Sequence, residues 1–362
     1  MKDEQKKVTP TTGKPTKKRR HKKKRRSILF KFILLIELLF IAAVALYAVL
    51  IKTIDTIQTT PLNTAELITV HNDPNMEDYT NIALFGVDTR SQDLSSEKSR
   101  SDAIIIVSIN NHTKEVKLTS VYRDTYCSVN GTYTKINHAY AYGGPELAIS
   151  TLNRNFDLDI TQYATVNFKI MANIVDAIGG IDLKVEEDFI DDLNKYIKEV
   201  NKLNGGDSPT FTSAGTYTLD GNQAVAYARI RHNQNGDISR AGRQRMVLQA
   251  IMKKGQRHPI SFLKAMKEVL PQIQTNIDSK TLRSLALNAL NYEISQQEGF
   301  PYEHRDTRLS NGLYYDVPVT LEKNVVQLHK NLFGTEDYPI SDELTTINNK
   351  IMWQTGIYGE SN

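Results

Sequence analysis

Apolar residues occupy every position from Phe32 to Ile51 except Glu37. Twenty residues at about 1.5 Å rise span roughly 30 Å, the hydrocarbon thickness of a bilayer, so this run predicts a transmembrane helix. The pattern then changes. Residues 52–78 are polar, Thr- and Asn-rich, and contain Pro61 and Pro74, as expected of a stalk. From Asn81 the chain alternates short β-branched runs with helical spacing. Ile82–Val87, Ala103–Ile109 and Glu115–Val121 predict strands, the last two joined by a turn over Asn110–Lys114. Pro145–Phe156 and Phe168–Ile178 carry apolar residues at spacings of three and four and predict helices, the second stopped by Gly179-Gly180. Ile181–Val185 reads as a strand, and Asp220–Ala228 and Ser239–Lys254 as helices. A helical pair is expected over Ser261–Ile277 and Ser279–Tyr292. The fold class is therefore mixed α/β: a central mixed sheet sandwiched between helices, preceded by a single N-terminal membrane span.

Charge sharpens the topology. Residues 1–26 hold 13 Lys/Arg and two acids, whereas the rest of the chain holds 32 basic and 39 acidic residues. The run Lys17–Arg26 lies just before the span, so by the positive-inside rule it stays cytoplasmic and the C-terminal part lies outside. A cleavable signal peptide is the competing reading, but the apolar run is long for one and the cleavage pattern is loose. The basic tail suits anionic lipid at the cytoplasmic membrane face rather than nucleic acid. The single cysteine, Cys127, excludes an intrachain disulfide and a cysteine metal cage. The expected division is 1–26 cytoplasmic tail, 27–51 anchor, 52–78 stalk, 79–256 catalytic domain and 257–362 accessory helices and tail.

An antiparallel meander of the first three strands would bring Asp88, Asp102 and Arg123 to one rim of the sheet. Two carboxylates there suit a hard cation such as Mg²⁺, although Asp is also common in turns at strand ends. Arg229 and Arg231 are i and i+2, sharing a direction if the backbone is extended. Arg240 and Gln244 are i and i+4 on a helix that Asp237 or Ser239 would cap. Several guanidinium groups beside a helix N-terminus can grip a pyrophosphate, and surface ion pairing is the bland alternative. Walker A, dinucleotide-binding, His-Glu-x-x-His and Gly-x-Ser-x-Gly motifs are absent.

Seven stretches, in order over about residues 79–256, resemble the LytR–CpsA–Psr family of cell-wall ligases. They are Asn81–Asp88 (NIALFGVD), Arg100–Asp102, Ser120–Asp124, Lys135–Tyr140, Val175–Ile181, Gly215–Gly221, and Tyr227–His232 with Gly236–Gln244. The resemblance implies a mixed sheet between helices with an apolar pocket for a polyprenyl chain. It also implies transfer of a phosphate-linked glycopolymer, such as teichoic acid or capsule, from a polyprenyl-pyrophosphate carrier to a peptidoglycan acceptor. By motif match, Asp88 and Asp102 fall on Mg²⁺-linked carboxylates. Arg123, Arg229, Arg231, Arg240 and Gln244 fall on pyrophosphate-binding positions, and Lys135 lies near the phosphates. Arg90 stands beside the acidic motif to stabilise charge, and Asp88 or Asp124 is the candidate base. Tyr122 departs from the family, where a small residue or proline is commoner. Competing functions are a membrane-bound transcriptional attenuator, a polyprenyl-pyrophosphate phosphatase using the same residues, and a non-catalytic glycopolymer-binding protein.

Overall fold

A computed structural model describes residues 51, 52, 54, 59–63, 67–89, 99–231 and 236–359. The basic tail, nearly all of the expected anchor, Arg90 and His232 lie outside the described residues. Among the described residues no helix is long and apolar enough to cross a membrane. The chain divides after Lys52 into two units, and the second, Thr53–Asn362, carries everything below.

A six-stranded sheet organises this unit. Strands β1 (Tyr79–Val87), β2 (Ser101–Asn110) and β3 (Glu115–Val121) form the antiparallel meander expected from their β-branched runs. With β10 at Glu293–Phe300, the order continues on both sides to give β10-β3-β2-β1-β6-β9, while β4 and β5 (Tyr126–Val129, Thr132–Lys135) form a separate hairpin. Strand β6 (Gln162–Asn167) pairs parallel to β1, and β9 (Gln274–Thr275) antiparallel to β6. Side chains alternate across each strand, so β1 and β2 serve two cores. Phe85, Ile104 and Ile106 pack on one face with helix α1 (His138–Phe156) and helices α8 (Leu321–Phe333) and α9 (Asp342–Thr355). Ile82, Ile105 and Leu118 pack on the other with Leu248 of α5 (Gly236–Arg257) and Leu282 of α7 (Ser279–Leu287). A third core joins α2 (Phe168–Ala177), the ribbon β7–β8 (Ile181–Val185, Gly215–Leu219), α3 (Ile190–Asn204) and α4 (Gly221–Arg229).

Helix ends follow local chemistry. The Asn167 side chain caps α2 by accepting from the Ile170 amide at 2.8 Å. Asp220 and Gln223 form a capping box at the start of α4. Gly221 is required there, because a Cβ would lie 2.3 Å from the Ala172 carbonyl oxygen of α2.

Three expectations need correction. The helix expected over Ser261–Ile277 ends as α6 (Pro259–Val269), where Leu270–Gln272 tightens to a 3₁₀ turn containing Pro271 and is followed by β9. The next helix ends at Leu287, and Glu293–Phe300 is a strand, β10, paired parallel with β3. Residues 257–362 thus supply sheet strands and the hairpin β11–β12 (His304–Arg308, Tyr314–Pro318) besides helices. The polar sequence of β10 conceals this, because its pairing partner is remote in the chain. Finally, residues 67–78 of the expected stalk join the domain. Val70 donates to the Leu158 carbonyl at 3.0 Å, and Met76 is buried in the first core. Asp73 lies 2.8 Å from the fully buried His329 of α8.

Candidate functional site

The meander places Asp88 just beyond β1 and Asp102 in β2, at a register shift opposite Gly86 and Val87, so both stand at the same end of neighbouring strands. Arg123 follows β3 at this end. Its Nη1 donates to Asp102 Oδ1 at 2.7 Å and its Nε to Asp237 Oδ2 at 3.1 Å. Asp237, in the first turn of α5, also meets Arg231 Nε at 3.3 Å and Arg240 Nη1 at 3.5 Å through Oδ1. Arg240 Nη2 donates to the Asp102 backbone carbonyl at 3.3 Å. Asp124 Oδ1 takes Lys135 Nζ at 3.0 Å and stands 3.8 Å from Arg123 Nε. Four cationic side chains therefore interlock with three carboxylates.

Their electrostatics differ with burial. Burial pulls the Arg240 guanidinium down to about 10 despite the attraction of Asp237, and repulsion from Arg123 and Arg231 adds to the fall. Burial also opposes charge on Arg123, but Asp237 and Asp102 outweigh it and hold that guanidinium above its usual value. Arg240 Nε is buried without a hydrogen-bond partner, and so is Arg229 Nη1. Unsatisfied buried donors on guanidinium groups fit a site that receives an anion.

An almost wholly apolar cavity of about 250 Å³ opens against this cluster. Leu84, Val87, Ala103, Val166, Met171 and Ala228 line its walls, Val247 and Ile251 of α5 close it, and Asp102 and Gln244 stand in its lining. A larger cleft of about 780 Å³, of mixed polar and apolar lining, takes in Asp88, Asn173, Asn204 and Arg229 beside Ile170, Val200 and Leu203. Asn167 and Phe168 line both spaces.

The structure thus gathers Asp102, Arg123, Asp124, Lys135, Arg231 and Arg240 into one network, with Gln244 one helical turn from Arg240. Asp88 and Arg229 line the adjoining cleft, and Arg90 lies outside the described residues. The expected common direction of Arg229 and Arg231 is not observed. Helix α4 runs through Arg229, whose guanidinium lies over the rings of Phe168 and Tyr196 at 5.1 and 5.3 Å, whereas Arg231 leaves the helix toward Asp237. Asp237 was read only as a helix cap, yet its carboxylate joins three arginines. The cue was its place in Gly236-Asp-Ile-Ser-Arg240, between two basic motifs. The two rim carboxylates offer oxygen-only donors, the number and type that Mg²⁺ takes when phosphate oxygens and water complete its shell.

The sequence profile of the LytR_cpsA_psr family matches residues 46–332. TagU of Bacillus cereus, a polyisoprenyl-teichoic acid–peptidoglycan teichoic acid transferase, is 31% identical over 251 residues, covering 67% of this chain and 75% of the relative. A solved structure of TagT bound to LI-WTA aligns with a TM-score of 0.58 at 25% identity, over 76% of this chain and 99% of that one. The family protein YwtF (TagT) with bound octaprenyl pyrophosphate lipid aligns with a TM-score of 0.56, also at 25% identity, over 76% and 99% of the two chains. With a family profile running through most of the folded unit and solved members sharing its architecture, the chain belongs to the LytR_cpsA_psr family.

Proposed function

We propose that this chain transfers a phosphate-linked glycopolymer from a polyprenyl-pyrophosphate carrier to peptidoglycan. One observation carries the reading: an apolar cavity and a guanidinium cluster share a wall at Asp102 and Gln244. A lipid diphosphate is a molecule with an apolar tail and a bis-anionic head, and this wall suits both. The B. cereus relative is named for teichoic acid transfer to peptidoglycan, and the TagT neighbour holds a polyprenyl pyrophosphate.

The tail enters the cavity and the diphosphate lies against Arg123, Arg231 and Arg240, with Arg229 at the cleft. An acceptor hydroxyl attacks the glycan-proximal phosphorus. The new O–P bond forms as the bond to the distal phosphate breaks, and polyprenyl phosphate leaves. A rim carboxylate, Asp88 or Asp124, takes the hydroxyl proton. Arginine donors fixed before the reaction stabilise charge on the transferring phosphoryl oxygens. Mg²⁺ held by Asp88 and Asp102 would neutralise further phosphate charge. The pyrophosphate bond supplies the driving force, which fits a domain outside the cell on an N-terminal anchor.

Replacing Arg231 by Ala tests the assignment. Losing such a donor costs about 2–4 kcal/mol, so transfer falls roughly 30- to 1000-fold while the melting curve stays near wild type. Full activity in Arg231→Ala refutes the pyrophosphate role. Asp88 makes no ion pair among the described residues, so Asp88→Asn leaves the arginine network in place, and the Mg²⁺ titration rather than the rate reads its metal role. It shifts the Mg²⁺ titration of activity to higher concentration, and an unchanged titration removes Asp88 from the metal site.

A further inference from the structure

The C-terminal hairpin holds a donor set apart from the rim. His304 and Asp306 are i and i+2 on β11 and project to one side, and Asp306 lies directly opposite Asp316 of β12. One donor atom from each of the three residues lies within 4.8 Å of the others. We propose that His304, Asp306 and Asp316 form a second metal site, for a divalent transition cation with Zn²⁺ as the best fit.

Two contacts need a proton or a cation between the partners. His304 Nδ1 sits 3.2 Å from the Pro301 carbonyl oxygen, which can only accept, so Nδ1 is a donor. Nε2 faces Asp306 Oδ1 at 3.3 Å, a contact that needs either a second ring proton or a cation. Asp306 and Asp316 are carboxyl groups at a directly cross-strand position, where two like charges would destabilise a ribbon. A cation among the three side chains satisfies both contacts at once. A ring nitrogen whose other nitrogen donates to a carbonyl is also the usual arrangement of a metal-bound histidine.

The donor chemistry selects the ion. Imidazole with carboxylates suits Zn²⁺ and its neighbours, whereas Mg²⁺ and Ca²⁺ take oxygen alone. Zinc bonds of about 2.0–2.2 Å set ligand atoms roughly 3.3–3.6 Å apart, so small side-chain rotations close the observed spacing. The site sits where it can stiffen the rim. The Asp316 amide donates to the Asp124 carbonyl at 3.0 Å, and Thr125 bridges to Asp316, so the hairpin buttresses the loop that carries Arg123 and Asp124.

The test uses the untagged full chain, stripped with chelator and titrated with Zn²⁺ by calorimetry and by thermal melting. Wild type and Asp88→Asn bind a single equivalent at this site and melt higher with zinc. Asp306→Asn and His304→Gln bind at least tenfold more weakly and gain no such shift. Asp306 is largely exposed, so its variant folds. Without metal, Asp306→Asn melts at or above wild type, because a repulsion has been removed. Zinc affinity unchanged in both variants overturns the proposal. So does a metal-free Asp306→Asn that melts below a zinc-indifferent wild type, the signature of an ion pair with protonated His304.

Discussion

Asp237→Asn tests the idea that one carboxylate holds the guanidinium cluster together. The substitution keeps shape and removes charge opposite Arg123 at 3.1 Å, Arg231 at 3.3 Å and Arg240 at 3.5 Å. The contacts are unequal. The Arg240 and Arg123 side chains are 7% and 20% exposed, in the range where a charged hydrogen bond contributes about 1.5–3 kcal/mol. Arg231 is 43% exposed, and its contact adds about 0.5 kcal/mol. Arg123 keeps Asp102, and the asparagine oxygen retains part of each bond. The expected loss is therefore about 3 kcal/mol, at the lower end for breaking a buried pair. Urea unfolding reads it directly. Added pyrophosphate should stabilise the variant more than wild type, because the anion no longer competes with a carboxylate for the arginines. A loss below about 1 kcal/mol, or an equal pyrophosphate effect on both proteins, refutes the reasoning.

Two further substitutions separate cavity from scaffold. Ala228→Phe fills the apolar cavity from its wall, so binding of a short fluorescent polyprenyl phosphate is lost while the fold tolerates the added ring. A cost above about 3 kcal/mol, the upper range for overpacking a closed core, would mean that the space is not free. Asp73→Asn breaks the buried contact to His329 and destabilises the domain by about 3 kcal/mol at pH 7. Burial opposes ionisation of Asp73, but His329, Thr335 and the Asn75 amide hold its carboxyl below the ordinary value. Its contribution is therefore complete above the unfolded value near 3.9 and disappears as pH falls through the lower folded value. Melting temperatures of the two proteins should converge in that acidic window, and a gap that is constant with pH contradicts the charge account.

The rim was legible because its three strands are local, β-branched and separated by recognisable breaks, so alternation alone carries Asp102 and Arg123 to one end. The helix stop at Gly179-Gly180 was readable for the same reason. Long-range pairing was not. Nothing in Glu-Ile-Ser-Gln-Gln-Glu-Gly-Phe announces β10, whose strand character comes from β3 nearly two hundred residues earlier. The polar segment around Asp73 concealed a buried anchor whose partner is in α8. Arg229 and Arg231 were misdirected because helix α4 runs one residue past the expected end at Ala228 and so takes in Arg229. The cavity is a void left among Met171, Ala228 and Val247, side chains that read singly as ordinary core.

The central claim is that the apolar cavity and the arginine cluster act on one lipid-linked diphosphate. The most direct measurement incubates the full chain with Mg²⁺, peptidoglycan and a polyprenyl-pyrophosphate glycan labelled in the sugar and in the lipid. Labelled sugar phosphate is expected on the glycan strand, with polyprenyl phosphate released in equal amount. Polyprenyl phosphate released with no label on the wall would contradict it, as would an intact donor after incubation with an acceptor-competent wall.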